Sequence, residues 1–285
     1  MKKVIISAAL TGTQGSKALS PYVPVSAEEI AADAVACAKA GASVIHIHVH
    51  NEQGKPTMET RYFVEAFEAT KEAAKKAGVN PIINLTTSGG SSVTELRLAH
   101  LKQLRPEMCS YDSGSFNWSL GGIFQNSTEF LTECGLLTQE LDIKPEIEIF
   151  DTGMLGNAIE LANRGVLKTP CHFQFVLGVL GGMDASVDNL EHLYRRLPEN
   201  CTWSVTGIGK GHLPMLLTGL ALGADGIRVG LEDNLYLDKG VKATNAQLVE
   251  RAVAIARLAN REIATADEAR EMLGITRHAM DEYKG

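Results

Sequence analysis

Three histidines, His46, His48 and His50, alternate with Ile47 and Val49 in the stretch "SVIHIHVHNEQG". In a β-strand, residues i and i+2 project to the same side. The imidazoles therefore share one face, and Ile45, Ile47 and Val49 take the other. Same-face neighbours stand under about 7 Å apart, so two of them can grip one metal ion. A lone buried histidine is more often a hydrogen-bonded part of a core, but an HxH pair favours the metal. His50 lies furthest out, where the chain turns into "NEQG". It is expected to be a loop or substrate-contacting residue rather than a ligand.

A catalytic metal site needs a third protein ligand and an open position. The stretch "GIRVGLEDN" offers Arg228, Glu232 and Asp233. Glu232 is the expected third ligand. Two histidines and a carboxylate make an open Zn2+ site, and non-haem Fe(II) uses a similar set. The other reading of the two carboxylates is a solvated helix start, where acidic residues are favoured. Arg228 sits among Gly, Ile, Val and Leu, and a guanidinium buried there needs an anion. Asp233 is the nearest, and the pairing would aim it as a proton acceptor. An adjacent arginine should also lower its pKa and weaken it as a base.

Such residues meet only if the fold carries them together. Short β-branched runs alternate with amphipathic helices along the chain. "KVIISAAL" reads as a first strand; its lysines and apolar run also resemble a secretion signal, but the run is short for one. The next helix opens with Ser26 and Glu29 in capping-box spacing and stops at Gly41. Seven more strands follow: "SVIHIHVH", "PIINLTT", "EMCSYDSG", "KPEIEIFD", "CHFQFVLGV", "CTWSVTGIG" and "GIRVGLE", each with a helical stretch after it. Eight such units fit a closed parallel (β/α)8 TIM barrel, an α/β fold of about 250 residues. An open doubly wound sheet is the alternative. The stretch 115–142 is less regular, and "TADEAREMLG" adds a C-terminal helical extension. No linker or low-complexity segment divides residues 1–285, which read as a single catalytic domain.

In such barrels the chemistry lies at the carboxyl ends of the strands. Strand eight borders strand one, and strand one borders strand two. Roughly 10 Å then separates strands eight and two, a span that Glu232 and the histidines can close over strand one. Strand three ends in Thr86, Thr87, Ser88, Gly89 and Gly90. The hydroxyls can bind carboxylate or carbonyl oxygens, and the glycines let backbone approach a ligand. "YDSGSFN" offers the same after strand four. Glu146 and Glu148 share one face of strand five: inward, a candidate acid or base; outward, a salt-bridging pair. "TGIGKGH" resembles an anion cradle.

Taken together, "AALTG", "HIHVH", "TTSGG", "PEIEIFDTG" and "GIRVGLEDN" resemble the β-keto acid cleavage enzymes over nearly the whole chain. The resemblance implies a Zn2+-dependent barrel that turns a β-keto acid and acetyl-CoA into acetoacetate and a new acyl-CoA. It implies His46, His48 and Glu232 as metal ligands, and Arg228 with Asp233 as the dyad that activates the keto acid. Glu148, in preference to Glu146, would assist. Thr87, Ser88, Gly89 and Ser115 would hold the substrate. Members acting on an aminated keto acid place a glutamate in the loop after strand one, where Gln14 stands here. An uncharged or otherwise different keto acid is therefore expected. The rivals are a metal-dependent acyl-CoA lyase of aldolase type, a hydrolytic barrel (whose HxH would belong on strand one), and a non-catalytic binding barrel.

The totals agree with this class. The 285 residues are 45% hydrophobic and 21% charged, with a net charge of −7, which argues against a nucleic-acid footprint. No apolar run nears the roughly 18 residues that cross a bilayer. Five cysteines, an odd number without CxxC, read as reduced thiols of a cytoplasmic protein. The tail helix and the 115–142 stretch offer surface for a homo-oligomer, with a tetramer among its possible forms.

Overall fold

A computed structural model of the chain describes residues 2–119 and 122–276. Eight parallel strands close into a barrel: β1 (Ile5–Ala9), β2 (Val44–Ile47), β3 (Ile82–Leu85), β4 (Met108–Asp112), β5 (Lys144–Ile149), β6 (His172–Leu177), β7 (Thr202–Gly207) and β8 (Gly226–Val229). They follow one another round the ring, and β8 pairs with β1. Helices α1 (Ala27–Ala40), α2 (Thr60–Ala77), α3 (Thr94–Leu104), α4 (Thr128–Glu140), α5 (Thr152–Asn163), α6 (Val187–Tyr194), α7 (His212–Ala221) and α8 (Asn245–Leu258) return the chain between them. This is the (β/α)8 barrel, and the open sheet is excluded. Among the described residues no helix is long and apolar enough to cross a membrane.

Capping chemistry sets the helix starts. Ser26 and Glu29 close the capping box of α1, and Gly41 ends it in the left-handed conformation. Outward strand residues such as Ile45, Ile47 and Val49 are wholly buried against the helices. Each such side chain contributes roughly 1.5–3 kcal/mol.

The barrel interior is layered. At the amino end, Ile5, Val44, Ile82 and Met108 pack with Ala269 and Leu273 of α9 (Ala266–Leu273), the C-terminal extension. Helix α9 plugs the barrel there, and its buried Arg270 reaches Glu107 at 2.6 Å, just ahead of β4. Above this plug the interior turns polar. Asn84, Ser110, Glu146, Gln174, Ser204 and Arg228 are all buried inside it. That departs from the usual aliphatic filling of such barrels.

Two sequence expectations are corrected in detail. "SVIHIHVH" is not one strand: β2 stops at Ile47, and Val49–His50 pairs antiparallel with Pro56–Thr57. The irregular stretch after β4 holds a hairpin, Phe116–Trp118 against Gly122–Phe124, before α4. A third hairpin, Tyr236–Asp238 with Val241–Lys242, precedes α8.

Asn245, the first residue of α8, ties the site-bearing ends together. Its amide donates to Leu10 O at 2.8 Å and to Asp33 Oδ2 at 2.6 Å, and its oxygen accepts from Leu231 N at 2.8 Å. Burial pushes the Asp33 carboxyl up to about 6 from an ordinary 3.8, against the Asn245 hydrogen bond that favours its charged form. The folded protein therefore holds this proton more tightly than the unfolded chain. The stability it confers is full below about pH 4 and is lost as pH rises to about 6. After a discount for solvent the effect is on the order of 1–2 kcal/mol. Asp33→Asn should flatten the urea-melt stability between pH 4 and 6. A variant that loses as much stability over this interval as the parent contradicts the assignment.

Candidate active site at the carboxyl end of the barrel

His46 closes the level of β2 that pairs with Ala9 of β1 and Asn84 of β3. His48 follows two residues on, and the two rings stand 5.1 Å apart, centre to centre. Beyond β8, Gly230 adopts φ +143°, which a side chain would oppose, and turns the chain back across β1. Glu232 N then donates to Ala9 O at 3.3 Å, and the Glu232 side chain reaches the histidines. Gly12 makes that reach possible, because a Cβ there would sit 2.6 Å from Glu232 Cγ.

The result is a convergence of donors. Nε2 of His46 lies 3.6 Å from Glu232 Oε2, and Nε2 of His48 lies 3.3 Å from Glu232 Oε1. Among the described residues this is the one set of three His, Cys, Asp or Glu donors within 4.8 Å of one another. Two ligands at 2.0–2.1 Å from a tetrahedral ion stand about 3.3 Å apart, so the spacing fits a metal. Glu232 Oε2 is buried without a hydrogen-bond partner, which also fits a missing cation. Burial lowers the His46 pKa to about 3, leaving the neutral imidazole a metal requires. Burial alone would raise the Glu232 carboxyl. His48, Arg228 and His46 outweigh it and hold the group well below the carboxylate range.

His50 is buried but stands apart from this set. Burial and the neighbouring His48 lower its pKa, and its ring faces the backbone of Gly12 and Gly15. A side chain at Gly12 should therefore push Glu232 away from the histidines while leaving all three donor residues in the chain. Gly12→Ala is expected to weaken divalent-metal uptake by these donors about 10- to 100-fold in a chelator competition. Unchanged affinity would show that Glu232 needs no such gap.

Arg228 is the hub beside these three donors and is fully enclosed. Its Nε and Nη2 donate to the two oxygens of Asp233 at 3.0 and 3.1 Å, a bidentate pair. Nη1 donates to Glu148 at 2.9 Å, and Nη2 lies 3.1 Å from Glu232 Oε1. Thr206 donates to Asp233 at 3.1 Å, and Asn84 holds Glu146 at 2.7 Å. One guanidinium thus faces several buried carboxyls. Burial raises the Glu148 pKa well above the usual value and raises those of Glu146 and Asp112, despite the lowering by nearby cations. The same holds for Asp233: burial, helped by the Glu232 charge, outweighs Arg228 and raises it. Arg228 does pull the Asp233 carboxyl down, as its place in the sequence implies, and burial, which spacing in sequence does not carry, works against it.

His46, His48, Asp112, Glu148, Arg228, Glu232 and Asp233 line a cavity of about 460 Å3, a size suited to a small organic ligand. Gln14 and Ser88 line it, together with Thr86. Thr87, Gly89 and Ser115 do not line it. Thr87 spends its hydroxyl on Ser110 O at 3.0 Å. Gly89 packs against the Arg97 and Met58 side chains. Ser115 is exposed and accepts from Asn126 N at 2.7 Å. Ser110 and Asp112 take their place, and the i, i+2 alternation of "SYD" could have found them. An aromatic wall of Phe116, Trp118, Phe124 and Phe150 also lines the cavity, and no sequence period marks that wall. The glycine-rich turn after β7 lines the cavity through Ile208 and Gly209, and Gly209 N donates to Asp233 O at 2.9 Å.

Comparison with known proteins agrees with the geometry. The sequence matches the profile of the beta-keto acid cleavage enzyme family over residues 3–275. It is 40% identical to a 3-keto-5-aminohexanoate cleavage enzyme of Fusobacterium nucleatum, covering 96% of this chain and 99% of that one. It is 33% identical to a 3-oxoadipate:acetyl-CoA acetyltransferase of Cupriavidus necator, covering 97% and 96%. Among solved structures, a ternary complex of ObcA with a C4-CoA adduct and oxalate superposes with a TM-score of 0.79 at 23% identity, over 90% of this chain and 68% of that one. At that identity the likeness speaks for the fold.

Proposed function

Because this chain belongs to the beta-keto acid cleavage enzyme family, we propose that it is a zinc-dependent enzyme acting on a β-keto acid and acetyl-CoA. Its products are acetoacetate and a new acyl-CoA. The observation that carries this reading is the convergence of His46, His48 and Glu232 beside the buried Arg228–Asp233 pair. Those three residues would hold the zinc, which when bound polarises the ketone and carboxylate of the keto acid.

The chain's own groups divide the remaining work. Asp233 accepts a proton from the carbon between the carboxylate and the ketone. Arg228 fixes both oxygens of Asp233, and Thr206 anchors one of them, so the base is already oriented. Glu148 braces the guanidinium from the opposite side. Ser88, Thr86 and Ser110 supply hydroxyls for the substrate carboxylate. The deprotonated carbon attacks the acetyl thioester and expels CoA thiolate. The thiolate then adds to the original ketone carbon, and the bond from that carbon to the central carbon breaks. Acyl-CoA leaves, and acetoacetate takes its proton back from Asp233. No enzyme nucleophile is consumed, which suits five free cysteines, four of them buried.

The reading extends to a single catalytic domain over residues 1–285. It also takes the protein as a cytoplasmic homo-oligomer. Exposed Leu213, Leu217 and Leu258 on α7 and α8 support self-association. A panel of β-keto acids assayed with and without acetyl-CoA on zinc-loaded protein tests the function. Acyl-CoA and acetoacetate should form in equal amounts, and only when acetyl-CoA is present. Cleavage without acetyl-CoA would instead identify a lyase or hydrolase.

A further inference from the structure

We propose that the cavity selects β-keto acids whose side chain is uncharged and apolar, seated on a wall of Phe116, Trp118, Phe124, Phe150 and Leu180. This rests on the functional reading above and names the substrate class for it. Among the described residues, every titratable side chain that lines the cavity belongs to the histidine, carboxylate and arginine cluster at its inner end. His46, His48 and Glu232 converge on one point, Asp233 and Glu148 hold Arg228, and Asp112 lies level with Glu148 on the neighbouring strand. A charge further along the substrate would find no counter-ion, since the remaining polar lining, such as Gln14, Thr13 and Ser88, is neutral. Burying such a charge unpaired is costly.

The wall is placed for a substrate side chain. The ligands come from β2 and the turn after β8, whereas the wall comes from the loops after β4, β5 and β6. In a ring of eight, β5 lies four places from β1, so the wall faces the metal ligands across the cavity. Phe150 follows Glu148 by two residues, which brings the wall beside the Arg228 hub.

Two other occupants fit less well. The pantetheine arm of acetyl-CoA carries amides that need partners. The backbone here pairs with itself: Ser119 N to Leu180 O at 3.3 Å, Gly182 N to Val179 O at 3.0 Å, and Met183 N to Phe150 O at 2.8 Å. A quaternary ammonium would need rings standing around it on several sides. Phe116, Phe124 and Phe150 instead pack on one another with centres 5.1 to 5.5 Å apart and planes tilted 35° to 52°, leaving no gap for a cation between them.

Substrate pairs of matched shape test this on the intact zinc-loaded enzyme. 3-Keto-5-methylhexanoate and 3-keto-5-aminohexanoate differ by a methyl against an ammonium. 3-Keto-6-methylheptanoate and 3-oxoadipate differ by an isopropyl group against a carboxylate. The neutral member of each pair should be preferred by about 100-fold in kcat/KM. Trp118→Ala and Phe124→Ala should raise KM for the neutral substrates about tenfold or more, with KM for acetyl-CoA unchanged. The pairs are compared in the parent enzyme, so a variant that fails to fold leaves the test intact. A charged member that matches or beats its twin overturns the proposal, as does a rise in KM for acetyl-CoA alone. So would preference for a trimethylammonium keto acid over its tert-butyl twin. Turnover of none of these would overturn the functional reading and this inference with it, whereas turnover of charged members alone overturns only the latter.

Discussion

Asp233→Asn is expected to lower kcat by about 10^2- to 10^4-fold while zinc content stays at the parent level. The substitution keeps shape and volume but removes the basic oxygen. General-base catalysis is worth about that factor. Asp233 stands outside the His46, His48 and Glu232 donor set, and its carboxylate is held by Arg228. The loss should therefore fall on turnover, not on metal retention. Arg228 keeps Glu232 as an anionic neighbour and Glu148 as a hydrogen-bond acceptor, so the guanidinium is not left unpaired. Circular dichroism melts should confirm that the variant remains folded. Parent-like kcat would remove Asp233 from the chemistry and reopen the case for a binding barrel.

A second large effect concerns the ligands. Glu232→Gln should cost roughly 3–4 kcal/mol of zinc affinity, about 10^2- to 10^3-fold, being one ligand's share of a typical site. Activity at limiting zinc should fall in parallel, and excess zinc should restore only part of it. His50→Ala supplies the contrast. The imidazole at 50 has the same alternation as those at 46 and 48 but stands outside the donor set. Its removal should leave zinc stoichiometry intact. Zinc loss in the His50 variant with retention in the Glu232 variant would reverse the assignment.

Much of this site is legible in the sequence. A period of two placed His46 and His48 on one face, and parallel closure put the turn after β8 next to β1 and within reach of β2. Other parts depended on facts that alternation does not carry. Strand geometry ends at Leu85 on β3, so the strand rule cannot order the residues that follow. The structure puts Thr86 and Ser88 toward the cavity and ties Thr87 to Ser110. The inward turn of Glu146 and Glu148 could have gone either way, because an outward pair reads identically in sequence. The surroundings of Asp233 depend on burial by residues from distant strands, which pushes its carboxyl up against the pull of Arg228 and which spacing in sequence does not carry. The aromatic hairpin was hidden by its brevity: three residues on each arm are too few to show a period.

Metal content and zinc-edge X-ray absorption on the purified protein test the central geometry most directly. One zinc per chain is predicted, bound by two imidazole nitrogens and a carboxylate oxygen at about 2.0–2.2 Å. A chain that neither retains nor takes up zinc, or that binds it through sulfur, would contradict the account.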